Sequence, residues 1–291
     1  MSAPTTEFIS SPPQDRIGDR FRRARRTALG FLRMGYLRSV AYPLGFVLEQ
    51  VHALVFPIIF VFIADLTGSG GSTERFGGDY YTFVIIGIFS IHAITAGIRG
   101  FSAELDQAIL HGNFEMLLVE PIRWRMLPFG MSLWPMILGL LTGAFILFSG
   151  GLLGAQYDLG SLPTAFPIVL LGLTAGLSLS ILSASVKVLA KKGDPVLTVF
   201  LLIAQVFSGA YFTLDMLPAW IRWLAYLIPH TYVIGALRRI LMPGGDMLQG
   251  MTLNSALLGL AIFNVIMYPL ALYLFGRGME VGRRYGLLGG Y

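Results

Sequence analysis

The chain has 291 residues, is 55% hydrophobic and only 13% charged, and has a mean hydropathy of +0.70, which excludes a soluble domain and describes a polytopic membrane protein. Cysteine is absent, which removes disulfides, thiol catalysis and cysteine metal sites, and the four histidines (His52, His92, His111, His230) form no ligand-spaced pair. A net charge of +5 raises nucleic acid as a partner, a reading that the placement of the charges removes.

Residues 1–15 are polar, contain proline and serine, and are predicted to be disordered. No cleavable signal peptide is recognisable, because the first apolar run starts after about 40 mostly polar residues and is long enough to span. From 16 to 41, Ile17, Phe21, Ala24, Ala28, Leu32 and Tyr36 recur at helical spacing, with Arg20, Arg22, Arg23 and Arg26 mostly off that stripe. This pattern predicts a basic amphipathic helix lying in the lipid headgroup layer, with those arginines as interfacial anchors. A nucleic-acid-binding arm is the rival reading, and the apolar run immediately downstream favours lipid.

A transmembrane domain is predicted over 42–276, with a tail at 277–291. Its first span, 42–64, carries Glu49 and His52 three residues apart and so on one face. Ionisable groups at that depth are costly and usually face a bundle interior or water. Glu49 therefore reaches either an interface or neighbouring helix, or a translocation path. A Gly/Ser-rich loop follows, then a span at 80–98 in which His92 reads as a packing residue. A polar connector is expected over 99–127. The spans at 128–151 and 164–186 contain Gly139-xxx-Gly143 and Gly172-xxx-Gly176, a spacing that lets helix backbones approach closely. Thr174, Ser178 and Ser185 share a face of the latter and read as interhelical hydrogen-bonding residues. A fifth span is expected over 195–212.

The stretch 205–239 is broken twice, at Asp215–Pro218 and at Pro229–Thr231. Asp215 and Thr231 are expected to start two short helices as capping acceptors. Each piece is about 10–14 residues, too short at about 1.5 Å per residue for about 30 Å of hydrocarbon. The prediction is a re-entrant helical hairpin over 213–245, dipping into the bilayer from one side, before a sixth span at 253–275. Six spans place both termini on one side. That side carries seventeen of the lysines and arginines and the opposite side four, so both termini are cytoplasmic and the hairpin enters from the outer face. The basic charge is a topology signal.

Two segments now stand at opposite faces, and together they resemble one family. The first is Gly112-Asn113-Phe114-Glu115-Met116-Leu117-Leu118-Val119-Glu120-Pro121-Ile122; the second runs Ser208-Gly209-Ala210-Tyr211-Phe212, Leu217-Pro218, Pro229-His230-Thr231-Tyr232 and Ala236-Leu237-Arg238. This pairing is similar to the transmembrane (permease) subunits of ABC-2-type exporters, and the resemblance covers nearly the whole chain. Asn113, Phe114, Glu120, Thr213 and His230 depart from the family's usual pattern.

The resemblance implies an all-α membrane protein with six transmembrane helices, an N-terminal amphipathic interfacial helix, a cytoplasmic coupling helix at 112–121 and the re-entrant hairpin. It implies that Gly112, Phe114, Glu115, Met116, Leu117, Leu118, Glu120 and Pro121 dock on a nucleotide-binding ATPase subunit. It also implies a multi-pass plasma (bacterial inner) membrane location. Phe114, Met116, Leu117 and Leu118 are apolar knobs suited to a partner's groove, and the alternative is a linker folding back on its own bundle.

No Gly-x-x-x-x-Gly-Lys-Ser/Thr phosphate loop occurs, and no set of side chains points to catalysis. The chain is therefore read as a non-enzymatic transport subunit that binds no cofactor, with ATP and magnesium on the partner subunit. A second permease subunit, identical or related, is expected to form the other wall of the path, alongside membrane lipid and without nucleic acid. Glu49, His52, Phe212, Trp220, Trp223, Tyr226 and His230 are the candidate path and exit residues. The expected cargo is an amphipathic or hydrophobic molecule: a drug, a lipid or a lipid-linked molecule. The alternatives are a permease for lipid-linked polysaccharide, or an ion-coupled secondary transporter using Glu49 and His52.

Overall fold

The computed structural model describes residues 17–68, 79–112, 124–190, 195–242 and 252–284. Among these residues the chain is all helical, with no strand. In chain order the helices are α1 (Ile17–Ala41), α2 (Pro43–Gly68), α3 (Tyr80–Leu110), α4 (Leu127–Leu152), α5 (Leu162–Ala190), α6 (Pro195–Phe207), α7 (Ala219–Leu227), α8 (Pro229–Leu241) and α9 (Leu253–Arg284). Five of them, α2, α3, α4, α5 and α9, contain apolar stretches long enough to cross a bilayer.

α3 and α5 form the centre. α3 packs on α2, α4, α5 and α8, and α5 packs also on α8 and α9. Residues 81–90 of α3 are apolar or small on every face and all are buried. Helix association in lipid gains little from hydrophobicity and depends on close packing of small residues. Here the α3–α5 crossing is nearly backbone on backbone: a Cβ on Gly97 would stand 2.5 Å from the Leu173 carbonyl oxygen, and one on Gly176 2.6 Å from that of Ile94. The two Gly-xxx-Gly pairs lie on this axis as well. Gly139 abuts Ala96 and Gly143 abuts Phe89, while Gly172 abuts Ile94 and Val233.

α3 starts sharply because the Asp79 carboxylate accepts from the amides of Tyr81 and Thr82, at 3.0 and 3.2 Å. It does not end where the apolar run ends. Residues 99–110, expected as a connector, continue the helix and bury Gly100, Phe101, Ser102 and Leu105. Their polar neighbours find distant partners. Lys187 of α5 donates to Ser102 Oγ at 2.7 Å and meets Asp106 at 2.5 Å, and Glu104 pairs with Arg38 of α1. Phe101 stands edge-on to Phe275 of α9, which itself runs past 275 to Arg284. The helix stops at Gly112, whose φ of +67° suits a residue without a Cβ, and the Gly112 amide bonds the Ile109 carbonyl at 3.0 Å.

The bundle thus has two distinct ends. At the Asp79 end, the Gln156 amide donates to Thr82 Oγ1 at 2.7 Å and the Asp158 amide to the Leu241 carbonyl at 2.9 Å, tying the α4–α5 loop to α3 and α8. The Gly112 end carries Arg38, Glu104, Asp106 and Lys187. Thr174, Ser178 and Ser185 differ from expectation: each donates to a carbonyl of its own helix, at Leu171, Ala175 and Ile181. A hydroxyl three or four residues along a helix always has such a carbonyl within reach. The α5 serines that bond between helices are instead Ser180, whose Oγ accepts from the Ser102 amide at 2.9 Å, and Ser183, whose hydroxyl lies 3.2 Å from Ser102 Oγ.

Candidate functional site

Between α1, α2, α3, α4, α6 and the start of α8 lies a cleft of about 610 Å³. Its Gly112 end is framed by the Arg38–Glu104 ion pair and by Trp134, which donates to Ser39 Oγ at 2.8 Å and stands edge-on to Tyr36. Arg99, Glu49, His52 and His92 line the middle, with Phe56, Ile91, Leu201 and Gln205 beyond them. The far end is the N-terminus of α8, where His230 is buried beside Phe200 and its Nδ1 has no partner among the described residues. In a bundle this apolar, such a concentration of ionisable side chains marks a wet or ligand-binding space.

The second feature is the break after α6. The helix expected to run to 212 ends at Phe207, because Gly209 turns with φ +79° and the following carbonyls leave the helical pattern. Irregular backbone inside a membrane protein needs partners from the protein itself. Arg238 of α8 supplies them: Nη1 donates to the Gly209 carbonyl at 2.8 Å, Nη2 to Ala210 at 2.7 Å and Nε to Phe83 at 3.1 Å. Its guanidinium carbon lies 3.3 Å from the Phe83 ring centroid. The Tyr80 hydroxyl donates to the Tyr211 carbonyl at 3.3 Å, and Phe60 of α2 stacks on Tyr211 with centroids 5.5 Å apart. Gly87 leaves the space that the Ala210 carbonyl fills.

α7 and α8 have 9 and 13 residues, so neither could cross a bilayer alone. They begin at Ala219 and Pro229, set by Pro218 and Pro229. Asp215 and Thr231 do not cap them, contrary to expectation. Thr231 Oγ1 is buried without a partner among the described residues, and Asp215 instead presents its carbonyl to Arg222 Nη2 at 3.2 Å, with the carboxylate 4.0 Å from Nη1. Thr231 lies three residues past the N-cap Ile228, too late in the helix to cap its first turn.

Of the path residues expected from sequence, Glu49, His52 and His230 come together in the cleft. Trp220 and Trp223 do not: they stand on α7, 75% and 58% exposed, with Tyr226 also exposed. Phe212 packs against the small Leu214–Leu217–Ala225 cluster under α7. Gly112 closes α3, whereas Phe114, Glu115, Met116, Leu117, Leu118, Glu120 and Pro121 lie outside the described residues. Arg20, Arg22, Arg23 and Arg26 lie on α1, with the side chains of Arg22 and Arg26 exposed. Sequence reasoning missed Arg99 and Arg38 as cleft residues, read His92, which lines the cleft, as a packing residue, and gave Arg238 no role of its own. The signal for Arg238 was present: an arginine facing inward in a short apolar helix needs buried acceptors.

A family model for ABC-2 type transporters matches residues 33–242, more than two thirds of the chain. The match runs from the end of α1 to the end of α8 and so contains the whole cleft and the break. The chain belongs to the ABC-2 type transporter family. No curated protein matches it. As an ABC-2 permease it is a multi-pass membrane protein and a transport component, of a class that associates with ABC ATPase subunits.

Proposed function

We propose that this ABC-2 permease is the membrane half of an ATP-driven exporter for an amphipathic or hydrophobic molecule. The observation that carries the reading is the cleft. It runs from the ion-paired Gly112 end, where the segment 112–121 begins, to the N-terminus of α8 beneath the break. α6, at 13 residues too short to cross alone, and the broken backbone after it together count as the remaining span, entering from the cytoplasmic side and handing over to a re-entrant pair formed by α7 and α8. Both termini are then cytoplasmic in a plasma membrane, which agrees with the seventeen-to-four division of lysine and arginine.

On this reading, ATP and magnesium bind a separate nucleotide-binding subunit, and its closure pushes on 112–121. Gly112 joins that segment directly to α3, and Lys187 ties the lower part of α3 to α5 through Ser102 and Asp106. A push there moves the two central helices together rather than bending one of them. A second copy or a related subunit supplies the facing wall, and Trp220, Trp223 and Tyr226 offer surface at the outer exit.

The test is purification with and without a candidate nucleotide-binding subunit. Stable co-purification, with ATP hydrolysis that falls at least tenfold when Glu115→Ala and Leu117→Ala are combined, is the expected result. Transport that follows a proton or sodium gradient with no ATPase present would contradict it.

A further inference from the structure

The cleft contains two opposite charges that the protein leaves without partners. Its other ionic residues, Arg38 and Glu104, neutralise one another. Glu49 of α2 and Arg99 of α3 line the same space, and neither has a hydrogen bond or ion pair among the described residues. Their separation can be read along the helices. Phe60 of α2 lies beside Tyr80 of α3, with ring centroids 6.4 Å apart, so the end of α2 meets the start of α3 and the two run antiparallel. Counting back at about 1.5 Å per residue puts Arg99 roughly 12 Å nearer the Gly112 end than Glu49. Helical side chains lean toward their own N-terminus, so in antiparallel helices these two lean toward one another across that gap. Both side chains are exposed to the open cleft, Glu49 within the apolar run of α2 and Arg99 nearer the charged end, so a ligand that enters the cleft with the complementary pair of charges would meet both at once.

We propose that the cleft binds a zwitterionic phosphate–ammonium headgroup, of the phosphoethanolamine type, presented by an amphipathic molecule. This rests on the exporter reading and names the substrate class of the same site. The phosphate meets Arg99 near the Gly112 end, where a guanidinium offers paired donors to phosphate oxygens. The ammonium leads inward to the Glu49 carboxylate. That order matches a headgroup entering first from the inner leaflet, because its amine is the part farthest from the acyl chains. His92, close to the level of Glu49 on the facing helix, and His52, about one turn deeper than Glu49, add ring nitrogens to the wall, and His230 offers its unpartnered Nδ1 at the far end. The size fits: about 610 Å³ lies within the usual range of small-molecule sites.

The experiment is calorimetric titration of the full chain in a neutral detergent with four probes. These are dihexanoyl phosphatidylethanolamine, dihexanoyl phosphatidylglycerol, dodecylamine and free O-phosphoethanolamine. The zwitterionic lipid is expected to bind at least tenfold more tightly than the purely anionic lipid or the purely cationic amine. Binding of free O-phosphoethanolamine as tight as that of the lipid would identify a soluble phosphoamine as the ligand; weaker binding identifies the lipid-borne headgroup. Glu49→Gln is expected to erase the preference for zwitterion over anion, and Arg99→Gln to lower affinity for both phosphate-bearing lipids at least tenfold. Arg99→Lys and Glu49→Asp should keep the rank order. Equal affinity for the zwitterionic, anionic and cationic probes in the wild-type protein overturns the proposal, whether or not the variants fold. No ATPase takes part in this measurement, so its failure leaves the exporter reading standing, and loss of ATP coupling leaves the headgroup site standing.

Discussion

Two buried cations hold the two ends of this molecule, and they do so differently. Lys187, at the Gly112 end, meets a carboxylate, Asp106, whose side chain is 43% exposed, and a serine hydroxyl. Arg238, at the Asp79 end, is 4% exposed and meets three backbone carbonyls and a ring face. The first joins two intact helices side by side. The second holds a piece of broken backbone that would otherwise have no place in a membrane. A lysine reaching a half-wet carboxylate can release it at modest cost, because water is ready to replace it. An arginine held by three carbonyls in the protein interior has no such alternative. The Gly112 end thus carries a link that water can replace and the Asp79 end one that it cannot, which suits the proposed entry of force at the Gly112 end.

The comparison can be broken most severely at Arg238. Arg238→Met leaves the carbonyls of Gly209 and Ala210 in the break without the donors that hold them, and should cost on the order of 3–5 kcal/mol. Membrane proteins commonly unfold irreversibly, so the measurement is the half-life of monodisperse protein at elevated temperature in detergent. A half-life equal to wild type would show that the break does not depend on this side chain. Gly87→Val attacks the same contact from the other helix. Its Cβ would collide with the Ala210 carbonyl, and 2.9 Å from the Ala210 carbonyl carbon leaves no room to relax. Overpacking of this kind costs about 1–3 kcal/mol. The same heat-inactivation assay should rank it below Arg238→Met.

At the opposite end the effects should be smaller in stability and larger in coupling. Lys187→Met removes the link between α3 and α5 but leaves Asp106 able to hydrate, so about 1–2 kcal/mol is expected. ATP hydrolysed per molecule transported should rise, because a push on 112–121 no longer reaches α5 in full. An unchanged ratio would remove Lys187 from the coupling path. The smallest effect belongs to Trp220→Ala, on the exposed face of α7, where stability should stay within about 0.5 kcal/mol. Any change it causes in transport then reports on the exit and not on folding.

Much of this arrangement was legible in the sequence, and the misses share a cause. The apolar runs of α2, α4, α5 and α9 declared themselves by length, and Pro218 and Pro229 marked the broken segment. Glu49, His52 and His230 were recognisable because an ionisable residue in an apolar run must face something polar. What could not be read was anything decided by a distant partner. Residues 99–110 looked like a connector because Glu104 and Asp106 are charged, yet Arg38 and Lys187 complete them from 66 and 81 positions away. α6 stops at Phe207 for a reason that lies in Arg238. Ser178 and Ser185 bond locally while Ser180 and Ser183 reach across, a choice made by the register of α5 against α3 and invisible in either helix alone.

The gated cleft is the claim on which the rest depends, and its most direct test uses the absence of cysteine from the chain. Thr95 lines the cleft, so Thr95→Cys provides a single thiol there. A membrane-impermeant maleimide is applied to each face of oriented vesicles containing the permease and its ATPase partner, with and without trapped ATP. The account predicts labelling from the cytoplasmic face in the absence of nucleotide and at least a fivefold loss of that labelling when ATP is trapped. Labelling that ignores nucleotide, or that occurs only from the outer face in its absence, would contradict it.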